Sequence, residues 1–552
     1  MDNQRVFLFV ALSFVLLLIW QAWEEDYGPK PVPSVINNQS SSSIPEAIVK
    51  KTDDDIPNIS FNENNSLKEV KNIDSISSDQ GQIVRVKTNV LNVEINTIGA
   101  DIQRVELIKY PVDVEKKDIA TVLMNNGSSN FFIAQSGLIS KNAKIANHKT
   151  PYQTEKLDYF VDEQSQSLKV KFKWSSKQFD VVKTYTFKAN DYLVDINYDV
   201  INHTAEARQI SQYRQLQRSD YSDPNESSFI YTYTGGVIYS PQEKYNKVTF
   251  DDIQDKNLKS NIIDGWVAMI QHYFLVALIP DKNQENQYYT KALPGPNYVL
   301  GLFSDSVKIE KQNSLQLHSQ LYMGPKLQYE IEKITPGLEL TVDYGVLTII
   351  AKPLFWLLNK IHSVLGNWGW AIIFLTIFIK LMFYKLSEAS YKSMANMRKL
   401  QPRMVTLKER FGDDRQKLNQ AMMEMYKKEK INPMGGCLPI VVQIPVFIAL
   451  YWVLLESVEL RQATFMLWLD NLSEPDPFYI LPLIMGATML IQQKLNPAPL
   501  DPIQAKVMMM LPIMFTVFFA FFPSGLVLYW VVNNMLSIIQ QYVITKRIEK
   551  QK

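Results

Sequence analysis

The first long region of the chain has a pattern of alternating apolar and polar residues. Between residues 83 and 345, short alternating segments such as Leu168–Trp174 and Tyr192–Tyr198 are separated by clusters of turn-forming residues. Alternation with a period of two is typical of half-buried β-strands. Many such strands predict a large all-β, antiparallel sandwich with its own hydrophobic core. The aromatic stretch Gly265–Phe274 fits a core strand of that sandwich better than a ligand site.

From residue 346 onward the pattern becomes helical and more apolar. Residues 346–366 combine an apolar face with Lys352, Lys360 and His362, which predicts an amphipathic helix in the membrane interface. Five apolar segments beyond it predict membrane-spanning helices. Their approximate bounds are 368–386, 438–455, 478–493, 507–522 and 526–544. Residues 387–432, between the first two of these spans, are polar with a helical period and a break at Gly412, which predicts a helical hairpin.

An apolar run also occurs close to Met1. It ends at Trp20 and Trp23 followed by acidic residues, and not at the small residues of a cleavage site, so residues 1–23 predict an uncleaved transmembrane anchor. Residues 24–82 are rich in Pro, Ser, Asn and Asp and predict a flexible linker. The anchor and the five later segments together predict a six-span protein with both termini on one side of the membrane and the β domain on the other.

The distribution of charge assigns those sides. Between residues 385 and 432, twelve Lys and Arg stand against six Asp and Glu, whereas the connections on the opposite side carry almost no basic residues. Basic loops remain in the cytoplasm, so both termini and the hairpin are predicted to be cytoplasmic. The net charge of +1 gives no sign of nucleic-acid readout.

The residues that commonly carry enzyme chemistry are absent or scattered. Cys437 is the only cysteine, and the five histidines show no metal-binding spacing, so we expect no disulfide and no metal site. The sequence contains neither a glycine-rich phosphate loop nor a recognisable nucleophile–base arrangement. We therefore expect a protein that is not an enzyme and that needs no cofactor.

Lys380 is the candidate functional residue, because it is a cation inside the first of the five apolar segments. A charge at this depth is costly and usually marks a polar cavity, although a lysine can also extend its ammonium to the interface. Thr376, Gln443 and Asn533 add polar groups on the same and neighbouring spans. Ordinary hydrogen bonds between helices would explain one or two of these amides. The whole set favours a hydrophilic groove open to the cytoplasm.

Methionine-rich surfaces accompany the groove. Met514 and Phe518 belong to a soft apolar face that suits lipid or apolar cargo. The apolar positions of the hairpin are rich in methionine as well. These methionines either present an adaptable surface to a partner or pack the two arms of the hairpin together. The hairpin candidates are Met394, Met397, Arg398, Met404, Met422 and Met425.

Several segments together resemble one family. They are Lys352–Leu358, Gly366–Gly369, Asn432–Pro439, Ser457–Ala463 and Phe522–Tyr529, with Gly265–Phe274 in the β domain. The chain resembles the YidC/Oxa/Alb family of membrane protein insertases, in the Gram-negative form with a large periplasmic domain. The resemblance implies a periplasmic β-supersandwich, a conserved core of five helices (367–552), and insertion and chaperoning of inner-membrane proteins. It also implies a location in the bacterial inner membrane.

The resemblance further implies the roles of particular residues and the partners. Lys380 matches the arginine of the family's groove, and Lys385 stands close to where the family usually has proline, so the first core span is expected to continue into the hairpin. A slide for the arriving client segment is implied, lined by Ile444, Pro445, Phe447, Met514, Phe518, Tyr529 and Trp530. The implied partners are nascent membrane proteins, the Sec translocon, membrane lipids and, weakly because the tail is short, the ribosome.

A solute transporter is the alternative of a different class. In that interpretation Lys380 would be a binding or coupling cation. Transporters of this kind often contain inverted repeats of broken helices, and the sequence shows no such repeat. Insertion is therefore the preferred interpretation.

Overall fold

A computed structural model describes most of the chain. The described residues are 55–57, 81–127, 130–141, 143–161, 166–221, 232–411, 414–429, 438–496 and 502–550. The predicted anchor 1–23 and nearly all of the linker 24–82 lie outside them. The described residues form two units. The β unit comprises those of Lys50–Tyr344 with Glu456–Gln462, and the helical unit comprises those of Gly345–Leu455 and Ala463–Lys552.

The β unit contains two large sheets built from twenty strands. The strands are β1 Ile83–Lys87, β2 Leu91–Asn96, β3 Asp101–Pro111, β4 Ala120–Met124, β5 Phe132–Ser140, β6 Gln153–Thr154, β7 Asp158–Phe160, β8 Ser167–Ser175, β9 Phe179–Lys188, β10 Leu193–Asn202, β11 Arg208–Ser219, β12 Gly235–Ser240, β13 Lys244–Val248, β14 Lys259–Ile263, β15 Trp266–Ile270, β16 Phe274–Pro280, β17 Glu285–Ala292, β18 Asn297–Ser304, β19 Val307–Ile309 and β20 Ser314–Pro325. Two short helices complete the unit, α1 Phe250–Asp255 and α2 Gln328–Ile334.

The strand order confirms an antiparallel β domain. The eleven-stranded sheet runs β14-β17-β18-β11-β5-β3-β2-β1-β7, with β19 beside β11 and β4 beside β3; the nine-stranded sheet runs β13-β12-β15-β16-β20-β10-β9-β8-β6. The pairs are antiparallel except for β1 with β7. Along β10 the side chains alternate, so Val194, Ile196 and Tyr198 are buried while the residues between them are half-exposed. This alternation is the period-two pattern that predicted the strand.

The aromatic stretch Gly265–Phe274 lies in the core, as predicted. It forms β15 and the start of β16, and every side chain of β15 is buried. The Trp266 ring stacks on Tyr239 with a centroid separation of 5.4 Å, and its indole nitrogen donates to the Pro336 carbonyl. The stretch therefore stabilises the sandwich through packing.

Lys183 joins the two sheets from within the core. It belongs to β9 in the nine-stranded sheet and has no exposed surface. Its Nζ donates to the carbonyls of Gly99, Ala100 and Ser136 in the eleven-stranded sheet, at 3.0, 2.9 and 3.3 Å. Gly99 has φ +74°, and a Cβ at this position would lie 2.4 Å from the His148 carbonyl. The tight turn after β2 therefore leaves buried carbonyls that need donors from the other sheet.

The helical unit contains eight α-helices among its described residues. They are α3 Thr348–Leu365, α4 Trp368–Met382, α5 Tyr384–Phe411, α6 Arg415–Lys428, α7 Leu438–Glu456, α8 Ile480–Leu495, α9 Pro502–Phe519 and α10 Ser524–Lys550. The predicted amphipathic helix corresponds to α3, the hairpin to α5 and α6, and the later four apolar segments to α7–α10. Helix α7 ends in Glu456, which belongs to the β unit.

The first core span differs from the prediction. Instead of continuing to residue 386 and on into the hairpin, α4 ends at Met382, and α5 leaves it at an angle of 67°. The amide of Phe383 bonds the carbonyls of both Ile379 and Leu381, which tightens the last turn. The bend therefore forms at Phe383 without a proline. In the described part of the chain, only α4 and α5 taken together reach the length and hydropathy of a membrane span, and no single helix does.

Residues Glu456–Gln462 belong to the β unit although they lie between two helices of the predicted core. The Arg461 guanidinium donates to the Pro111 carbonyl at 2.8 Å and lies 5.5 Å from the centre of the Phe274 ring. The Gln462 side-chain amide donates to the same carbonyl at 3.0 Å. These contacts fix the segment against the end of β3.

Candidate functional site

The start of α4 is fixed by side-chain contacts. Asn367 accepts a hydrogen bond from the Trp370 amide and so caps the helix, while its own amide group donates to the Phe465 carbonyl at 3.1 Å. Gly369 lies against the Phe465 ring so closely that a Cβ would overlap it. The first turn of α4 is therefore held in place, which sets the position of Lys380 three turns further on.

Lys380 is buried near the end of α4, with 8 % of its surface exposed. Its Nζ donates to Ser537 Oγ on α10 at 2.7 Å, and the Ser537 hydroxyl donates to the Asn533 carbonyl at 2.7 Å. The Tyr391 side chain on α5 also hydrogen-bonds Ser537. Lysine has three ammonium donors, and the described residues accept only one of them. No described acid lies within ion-pair distance of Lys380, so two of its ammonium donors have no acceptor among the described residues.

Helix α10 carries further polar residues that bind several neighbouring helices. Asn534 donates to Thr488 on α8 at 3.3 Å, Gln540 to the Tyr384 carbonyl at the start of α5 at 3.4 Å, and Gln541 to the Asn496 side chain at 3.0 Å. With Asn533 and Ser537, these residues recur every three or four positions and form one polar stripe. We call the set Asn533, Asn534, Ser537, Gln540 and Gln541 the polar stripe of α10.

The structure brings together some of the predicted groove residues. Lys380 and Asn533 are linked through Ser537, but Asn533 takes part with its backbone carbonyl and not with the side-chain amide that the prediction invoked. Thr376 does not join them, because its hydroxyl donates to the Ile372 carbonyl of its own helix and is buried there. Gln443 is partly exposed on α7, and no hydrogen bond links it to another described residue.

Sequence reasoning missed Ser537, Gln541 and Tyr391. A serine or a tyrosine in an apolar segment is common, so neither attracts notice alone. The detectable signal was the spacing, since Asn533, Ser537 and Gln541 stand at i, i+4 and i+8 in the sequence and must share one face of a helix.

The predicted slide residues fall into two groups. Phe447 on α7 packs against Tyr529 and Trp530 of α10, with centroid separations of 5.9 and 4.5 Å; Tyr529 is buried, and Phe447 and Trp530 are half-buried. By contrast, Met514 and Phe518 on α9 are about half-exposed, and Ile444 on α7 is exposed as well. They continue an exposed apolar face on α9 that also includes Met509, Met510, Ile513 and Val517. Pro445, within α7, is half-buried.

The methionines of the hairpin mostly pack its two arms together. Met397, Met422 and Met425 surround a buried cluster of Leu400, Met404 and Tyr426, in which the tyrosine hydroxyl lies 3.8 Å from the Met404 sulfur. Met394 is half-buried and Arg398 is exposed. The packing interpretation therefore accounts for most of these methionines, while Arg398, Lys399 and Arg403 are exposed.

Comparison with known proteins identifies relatives along the whole chain. Residues 360–551 match the family model described as 60Kd inner membrane protein, and residues 83–357 match the model of the YidC periplasmic domain. A curated membrane protein insertase YidC from Methylococcus capsulatus is 49% identical over 100% of this chain and 99% of its own length. The protein of the same name from Nitrosococcus oceani is 46% identical over the full length of both chains.

The crystal structure of an active YidC insertase with its first transmembrane domain resolved aligns over 85% of this chain and 93% of its own length. The identity is 18% and the TM-score 0.39, so the assignment rests on the full-length sequence relatives. Their identity and coverage leave no long segment of the chain unmatched. The chain belongs to the YidC family of membrane protein insertases.

Proposed function

We propose that this protein inserts transmembrane segments of other proteins into the inner membrane and chaperones them, alone or with the Sec translocon. The relatives are named for insertion and not for a chemical reaction, which agrees with the expectation of a protein that is not an enzyme. The names of these relatives give no support to a solute transporter. The observation that carries the mechanism is the buried ammonium of Lys380, which uses one of its three donors in a hydrogen bond to a described residue.

The groove acts on the polar part of a client. Lys380 and the polar stripe of α10 supply polar groups among apolar helices, and Gln443 of α7 lines the same route, whereas the Thr376 hydroxyl is bonded within its own helix. An acidic group of the client's outer tail is attracted to the Lys380 ammonium and pairs with it. The polar crossing of the tail is thereby shortened, and the protein needs no external energy source for this step.

The slide acts on the apolar part of the client. The exposed face of α9 with Ile444 of α7 offers a soft apolar surface, and the cluster of Phe447, Tyr529 and Trp530 supports it from behind. A client segment of about 20 apolar residues moves along this face into lipid. Burial of its apolar surface, at roughly 25 cal/mol per Å², drives the movement.

The proposal includes the full membrane arrangement. The anchor 1–23 and the five core segments cross the membrane six times, with both termini and the hairpin 387–432 in the cytoplasm and the β domain in the periplasm. Residues 346–366 lie in the periplasmic interface. The basic surface of the hairpin, including Arg398, receives the client, and the ribosome is a weaker partner. The balance of positive charge between the two sides supports this orientation.

The test is reconstitution of the purified chain into liposomes with a single-span client that carries a short acidic outer tail. Lys380→Arg is expected to retain insertion, because the charge remains, although the planar guanidinium differs in geometry. Lys380→Glu is expected to impair acidic-tailed clients and to leave neutral-tailed clients nearly unchanged. The matched control is Lys385→Glu, because the side chain of Lys385 lies just beyond the bend and is 92% exposed.

Two results would contradict the proposal. Failure of the unaltered chain to insert any such client would remove the insertase function. Equal insertion by Lys380→Arg and Lys380→Glu would keep the function but remove electrostatic attraction from its mechanism.

A further inference from the structure

A second surface of the helical unit has the form of a binding site. An open crevice of about 490 Å³ lies between α3 and α4. Its walls include Leu357 and Ile361 of α3 and Phe374 and Phe378 of α4, and Lys360 is the charged residue in its lining. The size is within the range of about 300–1,000 Å³ that small-ligand pockets have.

The crevice follows from how the two helices are joined. Gly366 ends α3 in the left-handed conformation with φ +67°, and the chain enters α4 two residues later. The His362 ring stacks on Trp368 with centroids 3.8 Å apart, which fixes the corner. Beyond this corner, neighbouring faces of α3 and α4 leave apolar side chains uncovered. Val364 is 83% exposed and Leu381 is 66% exposed.

The crevice is too small to enclose a client helix. A membrane-spanning helix of 20 residues is about 30 Å long and 10–12 Å wide, so it fills roughly 2,500 Å³, several times the volume of the crevice. A single hydrocarbon chain has no backbone polar groups to satisfy and can lie in a narrow apolar channel.

The charge of Lys360 indicates what kind of head group a bound lipid would have. Lys360 is exposed and lies one turn from both Leu357 and Val364 on the lining face of α3. A lysine stem can cover apolar surface while its ammonium reaches a phosphate. One cation beside an otherwise apolar channel complements an amphiphile with one anionic group. We propose that this crevice binds one acyl chain of an anionic phospholipid, whose phosphate pairs with Lys360.

The experiment uses the full chain in liposomes that contain either phosphatidylglycerol or phosphatidylcholine with a photoactivatable group on the acyl chain. Labelled positions are mapped by mass spectrometry. Labelling of Phe374 and Phe378 is expected to be about fivefold higher with phosphatidylglycerol, the ratio that one lysine gives at an anionic surface. The exposed face of α9 serves as the internal reference and should show no such preference.

Variants separate the charge from the channel. Lys360→Gln should reduce the ratio between the two lipids to about one while labelling persists, and the control Lys385→Gln should leave the ratio unchanged. Leu381→Trp, which fills the channel from an exposed position, should lower labelling by both lipids. Equal labelling by the two lipids in the unaltered chain would overturn the proposal and indicate ordinary boundary lipid. Covalent dimers joined at the crevice in place of lipid adducts would overturn it in favour of a second copy of this chain.

Discussion

Replacing Lys183 by methionine tests how the two sheets of the β unit are held together. Methionine keeps a similar length and apolar stem but cannot donate hydrogen bonds. The Lys183 ammonium donates to three carbonyls at 2.9–3.3 Å and lies 3.7 Å from Asp101, and both side chains are buried. The variant therefore leaves three buried carbonyls without this donor and a buried carboxyl without its cation.

The expected loss of stability is large. An unsatisfied buried polar group costs about 1–3 kcal/mol, and breaking a buried ion pair by removing one partner costs about 3–5 kcal/mol. The two figures describe overlapping losses, so we expect about 4 kcal/mol in total. For a domain of this size, each kcal/mol lowers the melting temperature by about 2–4 °C. Lys183→Met should therefore lower the melting temperature of the β unit by roughly 8–16 °C.

The assay is scanning calorimetry of the full chain in detergent, followed through the transition of the β unit. Lys188→Met on the same strand is the matched control, because the Lys188 side chain is 50% exposed and pairs, among the described residues, with Asp191 at 3.5 Å. The control should shift the transition by 2 °C or less, in keeping with the small contribution of surface ion pairs, about 0–1 kcal/mol. If Lys183→Met melted within 2 °C of Lys188→Met, the three carbonyl bonds would not be what joins the sheets.

The same pair predicts a pH dependence. Burial raises the pKa of Asp101 from 3.8 to about 6, while burial lowers the pKa of Lys183 from 10.5 to about 8. Between pH 4 and 6 the folded state holds more protons on Asp101 than the unfolded state, so stability falls as pH rises. Between pH 8 and 10 the folded state holds fewer protons on Lys183, so stability rises with pH. The contribution of the pair should be lowest between pH 6 and 8, and Asp101→Asn should abolish the acidic limb.

Two further substitutions test the close packing of α8 on α9 and the contact of the segment Glu456–Gln462 with β3. Gly486→Val should separate α8 from α9, because a Cβ at position 486 would overlap the Thr516 side chain. The control is Ala487→Val, at an exposed position of the same helix. Reduced client insertion by Gly486→Val alone would support the close packing, and equal insertion by the two variants would contradict it. Arg461→Lys loses the guanidinium that donates to the Pro111 carbonyl, and should increase proteolysis near residue 111 severalfold without changing proteolysis of the hairpin.

The strands and helices could be predicted from the sequence where one face of an element is buried. Leu193–Asn202 alternates because one face of β10 meets the core, and 348–365 shows a helical period because α3 buries Ala351, Phe355 and Leu358. Both patterns are local consequences of burial, so a single sequence displays them.

Other features depend on contacts between residues far apart in the chain. The bend at Phe383 has no proline or glycine to mark it, and the place of Arg461 beside β3 joins residues 350 positions apart. The sequence shows Lys183 as one more residue of an alternating strand, although it is among the most buried side chains. A lysine in such a pattern is expected to face solvent, and only the turn at Gly99 in the other sheet explains why it does not.

The polar stripe of α10 explains how a cation can persist beside apolar helices. Each stripe residue except Asn533 forms a side-chain hydrogen bond to a neighbouring helix or connection. The Asn533 carbonyl accepts a hydrogen bond from Ser537, whose hydroxyl oxygen accepts one from Lys380. The described stripe residues accept only one donor of the lysine, and Gln541 Oε1 is itself buried without a hydrogen-bond partner among the described residues. A lysine with three good acceptors would be a structural group, like Lys183 in the β unit. Lys380 lacks them among the described residues, and this difference between the two buried lysines supports the proposal that Lys380 binds an acidic group of a client.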